Sequence, residues 1–238
     1  MIHYVWEHNE NDTLLYAIEY PGAYSRGRTQ QEALAKLKEE IERYCSWSNE
    51  PLPEDFSFLL KQEKASELSI CDADSDVIFE EELLPLSPQE YERLKVKVLY
   101  SADCFQQLYQ SIEEKDFSEI NPRKTFYGEI PRTAREMYEH TKNVNRYYFN
   151  EIGVSADNEG TITECRLRGF QALESIPDFL TLPAVTGSYG ELWSLRKVMR
   201  RFLWHDRIHG KAMCRMCIKT FPDKKFSNTF RFSLKQLS

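Results

Sequence analysis

The stretch LRKVMRRFLWHDRIHGKAMCRM, residues 195–216, decides how the second half of this chain is read. Leu195, Val198, Phe202, His205, His209, Ala212 and Met216 succeed one another in steps of three and four. That spacing marks the inward seam of a bundle helix, and two adjacent seam positions are imidazoles. Histidines four apart project from one face and can ligate a single metal ion. A second periodic run, Met137, His140, Val144 and Tyr147, points a third imidazole inward.

Working outward, the helical period begins at Ser87-Pro88, a capping residue followed by proline at the first helical position. Tyr91, Leu94, Val98, Phe105, Leu108 and Ile112 continue it. Further helices are predicted from about Pro131 to Ile152, through Ile162, Cys165, Gly169, Ala172 and Ile176 up to Pro177, and from near Gly190 to about Thr220. Four such helices predict a four-helix bundle. The alternation of Phe226, Phe230 and Phe232 predicts a terminal strand over 226–234.

Before residue 87 the pattern differs. Tyr4–Trp6 and Leu14–Tyr20 read as strands, Pro21-Gly22 as a turn and Gly27 as part of the loop that follows. Thr29 and Glu32 have capping-box spacing ahead of a helix bearing Ala33, Leu37, Ile41 and Tyr44 on one face. Strands are also expected at Phe56–Gln62 and Val77–Leu84, with a polar turn at 72–76. The fold class is therefore α+β. A small N-terminal α/β domain (1–86) precedes an all-α four-helix bundle (87–238).

The 238 residues are 41% hydrophobic, enough for a sizeable core, and carry a formal charge of −7. Residues 1–100 hold 10 Lys/Arg against 21 Asp/Glu, and the remainder 21 against 17. An acidic front half argues against nucleic acid as a partner. No apolar run is long enough to span a bilayer, so no membrane partner is expected. The N-terminus lacks the features of a signal peptide, which points to a cytoplasmic location. Six scattered cysteines do not make a disulfide framework.

A buried imidazole without a partner costs about 1–3 kcal/mol. One divalent cation shared by His140, His205 and His209 removes that cost and leaves coordination positions open, as in a catalytic site. The competing reading makes them core histidines satisfied by hydrogen bonds. Asp206 can orient a ligand imidazole or pair on the surface with Arg207 or Lys211, and Glu136 can act as a base or form a surface ion pair. Gly169 and Ala172 either leave room for substrate or allow close helix packing. Tyr147 and Trp204 line a pocket or belong to the core. Cys214 and Cys217 have redox spacing but lie late in a helix, where structural thiols are expected. The cations Arg196, Lys197, Arg200, Arg201 and Arg207 read as a solvated face, with attraction of an anionic thiol or substrate as the alternative.

The run from Leu195 to Met213, taken with His140 inside MYEHTKNVNRYY (137–148), resembles the DinB-like metal-binding bundles over about residues 88–220. The resemblance implies a divalent metal ion, zinc or nickel, held by His140, His205 and His209. It also implies a thiol-dependent transferase or a hydrolase, with a small-molecule substrate or low-molecular-weight thiol as partner. Residues 3–85 resemble the HicB antitoxin-type domain through YPGAYSRGRTQQEAL (20–34) and Glu39-Glu40-Ile41-Glu42. That likeness implies a small sheet packed on a helix, used for interaction or for homodimer formation. Two functions follow as expectations: a metal-dependent enzyme, or a non-enzymatic binding or regulatory protein whose HicB-like module makes the contacts.

Overall fold

Alternation in the first strands sorts side chains to two faces, and both faces are covered. The computed structural model describes residues 1–10, 12–72, 74–125 and 128–237. Strands β1 (Ile2–Asn9) and β2 (Asp12–Ala17) pair antiparallel, and β3 (Tyr24–Gly27) adds to β2. After helix α1 (Gln30–Ser48) the chain returns as β4 (Phe58–Ala65), parallel to β1, giving the order β3-β2-β1-β4. Ile2, Tyr4, Leu15 and Ala17 pack with Ala33, Leu37, Ile41 and Tyr44 of α1. Their neighbours Val5, Leu14 and Tyr16 face the other way, onto Val77, Phe79 and Trp204.

Local signals explain the ends of α1. The Thr29 hydroxyl accepts from the Glu32 backbone N–H, while the Glu32 carboxylate reaches back to the N–H of Arg28. Gly22 turns at φ +92°, and a Cβ there would sit 2.6 Å from Leu203 Cβ. Only glycine lets this turn rest directly on the long C-terminal helix.

That helix, α5 (Leu195–Thr220), completes a bundle with α2 (Pro88–Gln110), α3 (Ala134–Glu151) and α4 (Ile162–Glu174). Helices α4 and α5 each pack against both α2 and α3, so they face each other across a diagonal. Ser87, Thr133 and Thr161 open α2, α3 and α4 with complete capping boxes, closed by Glu90, Glu136 and Glu164. Gly169 brings α4 onto α3: a Cβ there would lie 2.2 Å from the Phe149 ring, so this position serves packing. The long link between α2 and α3 carries a short ladder of β5 (Lys124–Thr125) with β6 (Gly128–Glu129). A second, β7 (Val185–Thr186) with β8 (Leu192–Trp193), precedes α5.

Several expectations need correction. Val77–Leu84 is an irregular segment ending in a 3-10 turn (Glu80–Leu83), held by side chains of α5 and β4 rather than by a strand partner. Residues 226–234 form no strand. Phe230 and Phe232 pack on Gly210 and around Trp47 and Arg207, and the chain ends in α6 (Leu234–Leu237). Gly27 lies in a strand, α5 starts at Leu195 instead of near Gly190, and α3 starts at Ala134, after its cap. Of the turn expected at 72–76, Ala73 lies outside the described residues.

The largest correction concerns the cations of α5. Lys197 and Arg207 are fully buried and Arg200 nearly so. Lys197 Nζ pairs with Glu191 at 2.7 Å and donates to the Asp76 and Leu192 carbonyls. Arg200 clamps Glu82 and the Val77 carbonyl, and Arg201 donates to the Ser75 carbonyl. Arg207 and Lys211 grip Glu40 at 2.6 and 2.7 Å. Burial by itself would raise the Glu40 pKa, but Lys211 and Arg207 outweigh it and hold the carboxyl below its usual range. Helix α5 thus binds the acidic front half to the bundle through buried charge, and the hydrophobic core runs across the junction without a break. Among the described residues no helix is long and apolar enough to cross a membrane.

Candidate metal centre

Antiparallel packing of α3 on α5 sets the first turns of α3 opposite the middle of α5, and there the three histidines meet. The ring centroids of His140 and His205 lie 5.1 Å apart, those of His140 and His209 4.6 Å, and those of His205 and His209 4.4 Å. One nitrogen from each ring can be chosen so that all three lie within 4.8 Å of one another. Three nitrogens on a tetrahedral divalent ion sit about 3.3 Å apart, as follows from metal–nitrogen bonds of about 2.0–2.1 Å. Modest inward movement of the rings closes the difference.

Electrostatics favours ligation. Burial pushes the His205 pKa well below the ordinary value, and any positive charge on His209, His140, Arg201 or Arg166 adds to the effect. Burial and the neighbouring His140 bring His209 down to about 3. His140, expected to face inward, is instead the exposed member and His209 is half-buried, yet desolvation lowers the His140 pKa as well. At neutral pH all three rings are uncharged, so each keeps a lone pair. The Nδ1 of His205 is buried without a hydrogen-bond partner. Such an orphan is a standing cost that an ion or ordered water removes. The donor set of three neutral imidazoles fits a borderline-soft divalent metal.

The surroundings limit water on the inner side. Tyr148 presents its ring edge-on to His205 at 6.0 Å, and the Arg201 guanidinium lies 5.6 Å from the Tyr148 ring. Arg166 and Asp206 form a fully buried ion pair at 2.8 Å across the bundle diagonal, next to His205 in sequence. Asp206 therefore serves Arg166, and neither of the roles expected for it, partner of an imidazole or surface carboxylate, is what it does. Burial raises the Asp206 pKa even with Arg166 opposing it. Glu136 is likewise no base here, because its carboxylate accepts from the Arg132 and Thr133 N–H groups at the start of α3.

Arg166 is the residue that sequence reading missed. It lies four residues after Ile162 and three before Gly169. An arginine on that stripe signals a buried partner, provided it is not read as a flank residue.

The remaining candidates sit elsewhere. Trp204 belongs to the core against Tyr16 and Tyr24, and Tyr147 packs beside Trp193 and Tyr189. Cys214 and Cys217 are buried, with the Cys217 pKa pushed up to about 12 by desolvation and that of Cys214 raised further. They are structural thiols, since a reactive cysteine needs an accessible thiolate. His3 and His8 pair with Glu19 and Glu63 on β1, apart from the centre. Comparison with protein-family models, with curated proteins and with solved structures finds no match.

Proposed function

We propose that His140, His205 and His209 hold a divalent metal ion, and that the protein is a DinB-like metal-dependent enzyme. The reaction we assign is thiol transfer or hydrolysis. The observation that carries this reading is the convergence of three neutral imidazoles, from two helices distant in sequence, with donor atoms within 4.8 Å. Bound there, the ion supplies Lewis acidity towards a thiol or water.

The chain's own residues divide the remaining work. Helix α5 presents His205 and His209 one turn apart on a shared face, which needs no loop to position them. His140 stands on the solvent side, so substrate approaches over α3. Tyr148 packs edge-on against the His205 ring on the inner side. Low pKa values keep the three rings free of protons at physiological pH, so no proton has to leave before an ion binds.

Metal content tests the assignment. Untagged protein should carry about one zinc or nickel ion per chain by elemental analysis, and the His205→Gln/His209→Gln variant should carry none. Metal-free wild type that also fails to take up added zinc or nickel would refute it. In that case the histidines are structural, and the front module becomes the place to look for function.

A further inference from the structure

We infer that the cleft between the N-terminal unit and the bundle, on the side away from β4, binds a phosphorylated small molecule of nucleotide size. The cleft encloses about 550 Å³, within the range of small-molecule sites. Its walls come from β3 and α1 on one side and from α5 with the C-terminal tail on the other. The surface is cationic in a protein of net charge −7: five lysines and arginines line it against two glutamates.

Two of the five cations are committed to the fold. Lys211 holds Glu40, and Arg26 donates to the Ile70 carbonyl. The other three have charge to spare. Lys36 is exposed and donates only to a neutral carbonyl, that of Arg26. Arg43 is exposed and reaches Glu39 at a long 3.5 Å. Arg215 is exposed and makes no ion pair among the described residues. Arginine forks and a lysine point charge are the side chains that recognise phosphate oxygens, and three of them suit a diphosphate.

Tyr24 and Phe232 form the buried floor of the cleft, and the Lys211 ammonium lies 4.3 Å from the Tyr24 ring centroid and 5.5 Å from that of Phe232. The cations engage the phosphates of such a ligand, and the volume of the cleft leaves room for the rest of it. The histidines do not line this cleft, so the inference stands apart from the metal reading.

Calorimetry on the full chain tests it, with EDTA present so that no metal bridges phosphate to the histidines. ADP and inorganic pyrophosphate should bind, adenosine should not, and binding should weaken as salt rises. Arg215→Glu and Lys36→Glu should each weaken ADP at least about tenfold, the loss expected for a charge-assisted contact. Lys61→Glu is the charge control. Its side chain is exposed on β4, at the opposite edge of the sheet from β3, and its affinity should stay at the wild-type value. Circular dichroism confirms that the variants are folded. No binding of ADP or pyrophosphate at millimolar concentration would overturn the inference. So would an equal loss in Lys61→Glu, or tighter binding of a single-stranded oligonucleotide than of ADP.

Discussion

Acidifying the metal-free protein should unfold it earlier than its carboxylates alone predict, and the two α5 histidines set the size of the effect. His209 titrates at about 3 in the folded chain, and His205 is pushed well below the ordinary value. An unfolded histidine titrates near 6.5. Between those limits the unfolded state binds the proton and the folded state does not, so stability falls as pH drops below about 6.5. At about 1.4 kcal/mol per pH unit, the His209 ring takes away about 2 kcal/mol between pH 7 and pH 5, and His205 acts in the same direction. Even the His209 share is a sizeable part of the 5–15 kcal/mol of an ordinary domain.

Urea unfolding in EDTA at pH 7 and pH 5 measures the loss. His205→Gln/His209→Gln provides the reference, because it keeps every carboxylate while removing both titrations. The wild type should lose at least about 2 kcal/mol more than this variant over that interval. Equal losses in the two proteins would show that the rings are protonated in place, and the account of a desolvated, neutral cluster would fail.

Zinc added at a hundredfold excess over its Kd should raise wild-type stability at pH 7 by about 2.7 kcal/mol and leave the double histidine variant unchanged, as read by thermal unfolding. Arg166→Met strands a fully buried Asp206 and should cost about 3–5 kcal/mol in urea. Most of that should return in Arg166→Met/Asp206→Leu, which removes the stranded charge. Gly22→Ala must place a Cβ 2.6 Å from Leu203 at φ +92°, and a loss of about 1–3 kcal/mol is expected in the same assay. Cys214 and Cys217 should resist a thiol-modifying reagent at pH 8 in the native protein and react once it is unfolded, since burial holds both thiols protonated.

Much of the fold and of the site could be read from local pattern. The period of α5 placed His205 and His209 on one face, whereas His140, expected to point inward from the period of α3, stands exposed at the solvent edge of the cluster. Caps at Thr29 and Ser87 marked where helices begin, because those signals act within a single turn. Two short segments do not form the expected strands. Val77–Leu84 has apolar residues at both ends and 226–234 has apolar alternation, but their backbones find partners in side chains and turns, which local pattern does not report.

What composition and periodicity determined by themselves is a direction for each side chain and a boundary for each helix. Only the tertiary structure decided what each inward group meets. Arg200, Arg207 and Lys197 look like a hydrated stripe because their charge is visible in the sequence and their partners are not. Glu82, Glu40 and Glu191 lie far away along the chain or across a turn, and each cation is buried only because its carboxylate arrives there. The same holds for the three imidazoles. A helix dictates which way a ring points, whereas the packing of α3 on α5 brings three rings close enough to share one ion.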